Sequence, residues 1–181
     1  DRETEIDPES ESTIDPTSPR IRPLTPAERT AMTDVTWREG CPVGLDDLRV
    51  VEARHHRPDG PPTTGAVIVH EDAAEAIARV LAALYAAEFP ITRMEPVRAY
   101  DGDDGASMAA DNTSAFNCRP VSGGRSWSEH AYGRAIDVNP LRNPYVRGDR
   151  VDPPAGRDWV LAEARAGTEA PRPGVIVAGG P

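Results

Sequence analysis

The chain has 181 residues, 38% hydrophobic and 28% charged, which suits one globular domain with a tail better than two domains. Its longest apolar stretch, Val80–Ala87, is far shorter than the ~20 residues of a membrane-spanning helix, so no membrane span is expected. The net charge is −10 and all 20 basic residues are arginine, with no basic patch to neutralise phosphates; nucleic-acid binding is therefore excluded as an expectation.

Residues 1–24 read as a disordered tail, rich in Asp, Glu, Ser, Thr and Pro and too poor in aliphatics to offset the entropy of ordering. No charged start followed by an apolar run is visible in it, so no signal peptide is read. The domain is expected over residues 25–181. Thr25-Pro26-Ala27-Glu28 has the form of a capping box with proline at the first helical position, which predicts a short helix to about Thr33. Trp37 and Cys41-Pro42 follow as a loop packed on the core. Leu48–Val51 and Ala66–Val69 read as strands separated by a turn at Asp59-Gly60-Pro61-Pro62, and the second strand ends at His70. His55 and His56 read as loop residues.

The clearest helix spans about Asp72–Glu88, where Ile77, Val80, Leu81, Leu84 and Tyr85 recur on one face and Glu75 and Arg79 form an outward pair; Pro90 stops it. A strand around Arg93–Tyr100 and a turn at 101–105 follow. Asp101, Asp103 and Asp104 do not make a calcium loop, because the twelfth position holds Asn112 where a glutamate is needed. They read as a solvated loop. Arg157–Ala166 has the composition of a short surface helix.

The chemistry lies in residues 107–140, and above all in Ser128-x-His130-x-x-Gly133-x-Ala135-x-Asp137. Gly133 ends any helical turn that begins at Ser128 and permits a tight reversal. Ala135–Val138 then alternates like a strand, with Ile136 and Val138 towards the core and Asp137 on the opposite face. The reversal brings an imidazole and a carboxylate to one surface, a pair that suits zinc. On spacing alone it serves equally well as a hydrogen-bonded structural pair. Cys41 and Cys118 are too few for a disulfide framework and have no C-x-x-C partner for zinc; they form one bridge or stay as two buried thiols.

The stretch resembles the D-alanyl-D-alanine carboxypeptidase family of zinc peptidases, which includes VanY-type carboxypeptidases and phage L-alanyl-D-glutamate endopeptidases. Ser128 to Asp137 match its S-x-H-x-x-G-x-A-x-D hallmark at every defined position. Phe89-Pro90-Ile91 and Asn112–Arg119 resemble its endopeptidase-type branch, and the likeness spans roughly residues 37–181. The resemblance implies an α+β fold of the zinc-peptidase (hedgehog/DD-peptidase-like) kind: a small, mostly antiparallel sheet that carries the ligands, with packed helices. It implies Zn2+ held by His130 and Asp137, Ser128 in the substrate site, and Arg119 as the catalytic arginine beside the scissile carbonyl; a salt bridge to a nearby acid is the other reading of Arg119. The implied partners are peptidoglycan stem peptides, the implied address is extracytoplasmic, and the chain is read as a monomer. That address favours a Cys41–Cys118 bridge.

One departure from the family bears on activity. Members carry the third ligand, a histidine, and a catalytic acid three residues before it in a later D/E-x-x-H segment. Here no histidine follows His130, and His55, His56 and His70 lie upstream of the motif. Asp158 and Glu163 do not match the missing groups. The expectation is therefore a C-terminally truncated copy of a cell-wall endopeptidase or carboxypeptidase, lacking the third ligand and the catalytic acid. The alternative is a domain that binds cell-wall peptides without cutting them.

Overall fold

The computed structural model describes residues 18–121, 124–166 and 176–177. Its main sheet has three antiparallel strands in the order β1-β2-β3: β1 (Arg20–Pro23), β2 (Leu48–Arg57) and β3 (Gly60–His70). Alternation along β2 and β3 sorts the aliphatic residues onto two faces. Val51, Ala53, Val67 and Val69 pack against Ala73, Ala74, Ile77 and Leu81 of α2 (Glu71–Ala86). On the other face, Leu48, Val50 and Ile68 meet Leu24, Met32, Phe116 and Cys118. With both faces covered, the sheet is the centre of the domain. The α+β class and the mostly antiparallel pairing agree with the sequence, as does the seat of the long helix.

Several boundaries move. The tail expected over 1–24 gives way to strand β1 at its end, while residues 1–17 lie outside the described residues. Residues 20–24 are held because Ile21 and Leu24 reach the core and Arg22 binds both Glu28 and Glu52 at 2.8 Å. That guanidinium holds the Glu28 carboxyl down at about 2. Thr25 and Glu28 form the expected capping box on α1 (Pro26–Met32). The turn before β3 is tighter than expected, so Pro61 and Pro62 stand within an edge strand, where a missing N–H is tolerated. His55 and His56 are strand residues rather than loop residues: His55 is buried with Nδ1 3.0 Å from the Ile91 carbonyl oxygen, and His56 stacks on Tyr85.

The strand expected over 93–100 shrinks to β4 (Arg93–Met94), because Pro96 ends it and a 3-10 turn, Val97–Tyr100, follows. The acidic loop is also shorter than expected. Asp103 accepts a hydrogen bond from the Ala106 N–H at 3.0 Å and so caps α3 (Asp104–Ala109). β5 (Asn112–Thr113) lies parallel to β4, and β6 (Ala135–Ile136) pairs with β9 (Ile176–Val177). A hairpin of β7 (Tyr145–Arg147) and β8 (Arg150–Asp152) leads to α4 (Arg157–Ala166), the surface helix the composition predicts. Cys41 and Cys118 are bridged, with Cα atoms 6.1 Å apart. Among the described residues no helix is long and apolar enough to cross a membrane.

Candidate metal centre

The motif residues sit beside the main sheet, not on it, which corrects the expectation that this sheet carries the ligands. Ser128 caps a 3-10 turn, Glu129–Tyr132, by accepting a hydrogen bond from the His130 N–H at 3.4 Å. Gly133 ends the turn in the left-handed region with φ 65°, and its carbonyl accepts from the His70 N–H at 2.8 Å. A Cβ at Gly133 would stand 2.6 Å from the His70 nitrogen. Gly133→Ala is therefore expected to lower the unfolding free energy by roughly 3 kcal/mol, from left-handed strain plus the clash, as read by urea denaturation. A loss below about 1 kcal/mol would show that the reversal does not depend on glycine.

After the reversal, Ile136 is fully buried and Val138 nearly so, and Asp137 turns the other way, as alternation requires. Its backbone is pinned by Ser114, with N–H···O bonds of 3.1 and 2.9 Å in the two directions. The same segment fixes the histidine, because His130 Nδ1 donates to the Ala115 carbonyl at 2.7 Å. That bond leaves Nε2 facing the carboxylate, with Asp137 Oδ2 3.3 Å away. Burial by itself would lower the His130 pKa; the Asp137 hydrogen bond and charge, with help from Ala115 and Asp104, outweigh it and raise the pKa above the ordinary value.

The spacing also suits a metal. Two ligands bound at 2.0–2.1 Å to a tetrahedral ion stand about 3.3 Å apart. A histidine ligand ordinarily donates its other nitrogen to a carbonyl or carboxylate, as His130 does to Ala115. The residues present thus fit two positions of a zinc site. Among the described residues, no group of three His, Cys, Asp or Glu side chains is placed to hold a metal ion.

A cleft of about 810 Å³ opens over the pair, lined by Ser128, His130, Asp137, Arg119 and Asp104 among others. The salt-bridge reading of Arg119 is the one observed here. Its Nη2 lies 2.6 Å from Asp104 in an ion pair, yet the side chain still lines the cleft. Its Nε is buried with no hydrogen-bond partner among the described residues, where Asp104 is the main restraint on the guanidinium. The sequence reading missed Asp104 as a site residue. The Asp103 cap followed by Asp-Gly-Ala-Ser-Met-Ala was a signal for a helix start there. The Ala115 carbonyl had no signal at all, since it contributes through backbone position.

His70 does not line the cleft. Its Nδ1 accepts from the Asp72 N–H at 3.2 Å and caps α2. Residues 122–175 fit the family model described as D-alanyl-D-alanine carboxypeptidase. No curated protein and no solved structure matches. The matched stretch contains Ser128, His130, Asp137 and the β7–β8 hairpin, whereas Arg119 and both cysteines lie outside it. Over residues 122–175 the chain is thus similar to the D-alanyl-D-alanine carboxypeptidase family.

Proposed function

We propose that the chain carries two zinc ligands, His130 and Asp137, of an extracytoplasmic zinc peptidase, of the hedgehog/DD-peptidase-like fold, that hydrolyses peptide bonds in peptidoglycan stem peptides. The observation that carries this reading is the 3.3 Å approach of His130 Nε2 and Asp137 Oδ2 on the wall of a cleft large enough for a peptide segment. The family match supports the substrate class. The Cys41–Cys118 bridge supports an oxidising compartment.

His130 and Asp137 would hold the ion. When bound, zinc supplies Lewis-acid polarisation of a carbonyl and makes water acidic enough to attack near neutral pH. The Ala115 carbonyl keeps His130 Nε2 as the ligating nitrogen. Arg119 offers a permanently charged fork of donors to the oxygen on which charge develops, and Asp104 holds that fork at the cleft. Ser128 contributes its hydroxyl to the substrate side of the cleft while its Oγ caps the histidine's turn. The third ligand and the acid that moves the proton belong to the family's D/E-x-x-H segment.

The test is digestion of peptidoglycan and of a soluble stem peptide by the zinc-loaded chain, alone and fused to such a segment. Cleavage by the fused protein only, with Arg119→Ala reducing kcat about 10²–10³-fold, is the expected result. The two-ligand site favours one second reading, a domain that binds stem peptides without cutting them. Binding without cleavage by either protein would establish it. Neither binding nor cleavage would overturn both readings.

A further inference from the structure

The β7–β8 hairpin presents a charged face to the cleft. Its register pairs Tyr145 with Asp152, Val146 with Val151 and Arg147 with Arg150. Directly opposed residues share a face, as do alternate residues along each strand. Tyr145, Arg147, Arg150 and Asp152 therefore stand together, and all four line the cleft that holds His130 and Asp137; Val146 and Val151 do not.

Arg147 and Arg150 face each other across the strands, an arrangement that like charges disfavour. Asp152 relieves only one of them, binding Arg150 at 2.8 Å. The other cations of the cleft are also matched, Arg119 by Asp104 and His130 by Asp137. Among the described residues no carboxylate pairs with Arg147. Among the described residues, the cleft thus contains a guanidinium without a counter-charge, beside a second guanidinium that is half satisfied.

We propose that Arg147, backed by Arg150, binds a free carboxylate on the peptide, so that the cleft selects acidic peptides. This rests on the reading of the cleft as a peptide site. The planar fork of arginine matches a carboxylate in two parallel hydrogen bonds. A phosphate dianion fits less well, because Asp104, Glu129, Asp137 and Asp152 also line the cleft and repel a double negative charge. The arginine pair weakens the hairpin in the absence of ligand and gains its counter-charge when the ligand arrives.

The test uses the full chain without metal and a blocked tetrapeptide of alanine, glutamate and lysine, with the glutamate carboxylate free or amidated. Calorimetry is expected to show about tenfold tighter binding of the free acid, with the difference shrinking as salt is added. Arg147→Ala should remove the preference by weakening only the free acid, and Arg147→Lys should restore part of it. The urea midpoint of Arg147→Ala should not fall, since a like-charge contact is removed. Equal binding of the two peptides by the native chain, or equal weakening of both by Arg147→Ala, would overturn the carboxylate site and leave the cleft as a peptide site. Binding of neither peptide by the native chain would overturn both.

Discussion

Loss of the Cys41–Cys118 bridge is expected to lower the stability of the chain by about 4 kcal/mol. The two cysteines are 77 residues apart, and a closed loop of that length removes a large share of the freedom of the unfolded chain. Cys118 is fully buried in the apolar cluster formed by Leu24, Met32, Leu48, Val50, Ile68 and Phe116. Its carbonyl accepts from Arg38 Nη2 and its N–H donates to the Thr36 carbonyl, both at 2.9 Å. The bridge therefore ties the loop after α1 to the segment that ends in Arg119. A domain of ordinary stability has only about 5–15 kcal/mol in total, so a loss of this size moves the urea midpoint far. Urea denaturation of the Cys41→Ala/Cys118→Ala chain, and of the native chain with and without reductant, measures it. A difference below about 1 kcal/mol would show that the hydrogen bonds and packing hold the loop without the bridge.

Elements whose local signals agree with their packing were legible in the sequence. The capping box at Thr25 and Glu28 marked the start of α1, and the spacing of Ile77 and Leu81 marked the buried face of α2. What failed depended on partners distant in sequence. Arg22 looked like one more residue of a polar tail until Glu28 and Glu52 were brought beside it. His55 gave no local sign that its ring would be buried against the Ile91 carbonyl, 36 residues away. The short strands β4, β5 and β6 are held by pairing and burial rather than by length, so no periodicity could develop within them.

The site divided in the same way. The pattern from Ser128 to Asp137 was readable because its geometry is local: a cap, a left-handed glycine and a strand alternation set His130 beside Asp137. Asp104 was read as solvent-facing because an acidic turn usually is. Only the tertiary fold places α3 across from Arg119. The opposition of Arg147 and Arg150 needs the hairpin register, which follows from a turn at Gly148-Asp149.

Zinc should bind to this 181-residue chain weakly, with a dissociation constant between about 1 µM and 0.1 mM. Complete four-ligand structural sites gain roughly 10–16 kcal/mol, and two ligands held ready should yield about half of that. His130 and Asp137 need little rearrangement, since the Ala115 carbonyl and the paired Ser114 backbone already fix them. His130→Ala should abolish measurable binding. Asp137→Asn, which keeps the shape but removes the charge, should weaken it at least tenfold. Competition against a chromophoric chelator at pH 7.5 reads both effects, with urea midpoints to confirm that each variant is folded. Nanomolar binding by the native chain would mean that a third protein group completes the site. His70 is committed to capping α2 and His55 to the Ile91 carbonyl, so Asp104 on the cleft wall is the group to test first. Unchanged affinity in His130→Ala would instead place the metal elsewhere on the molecule and end the reading of this cleft as a zinc site.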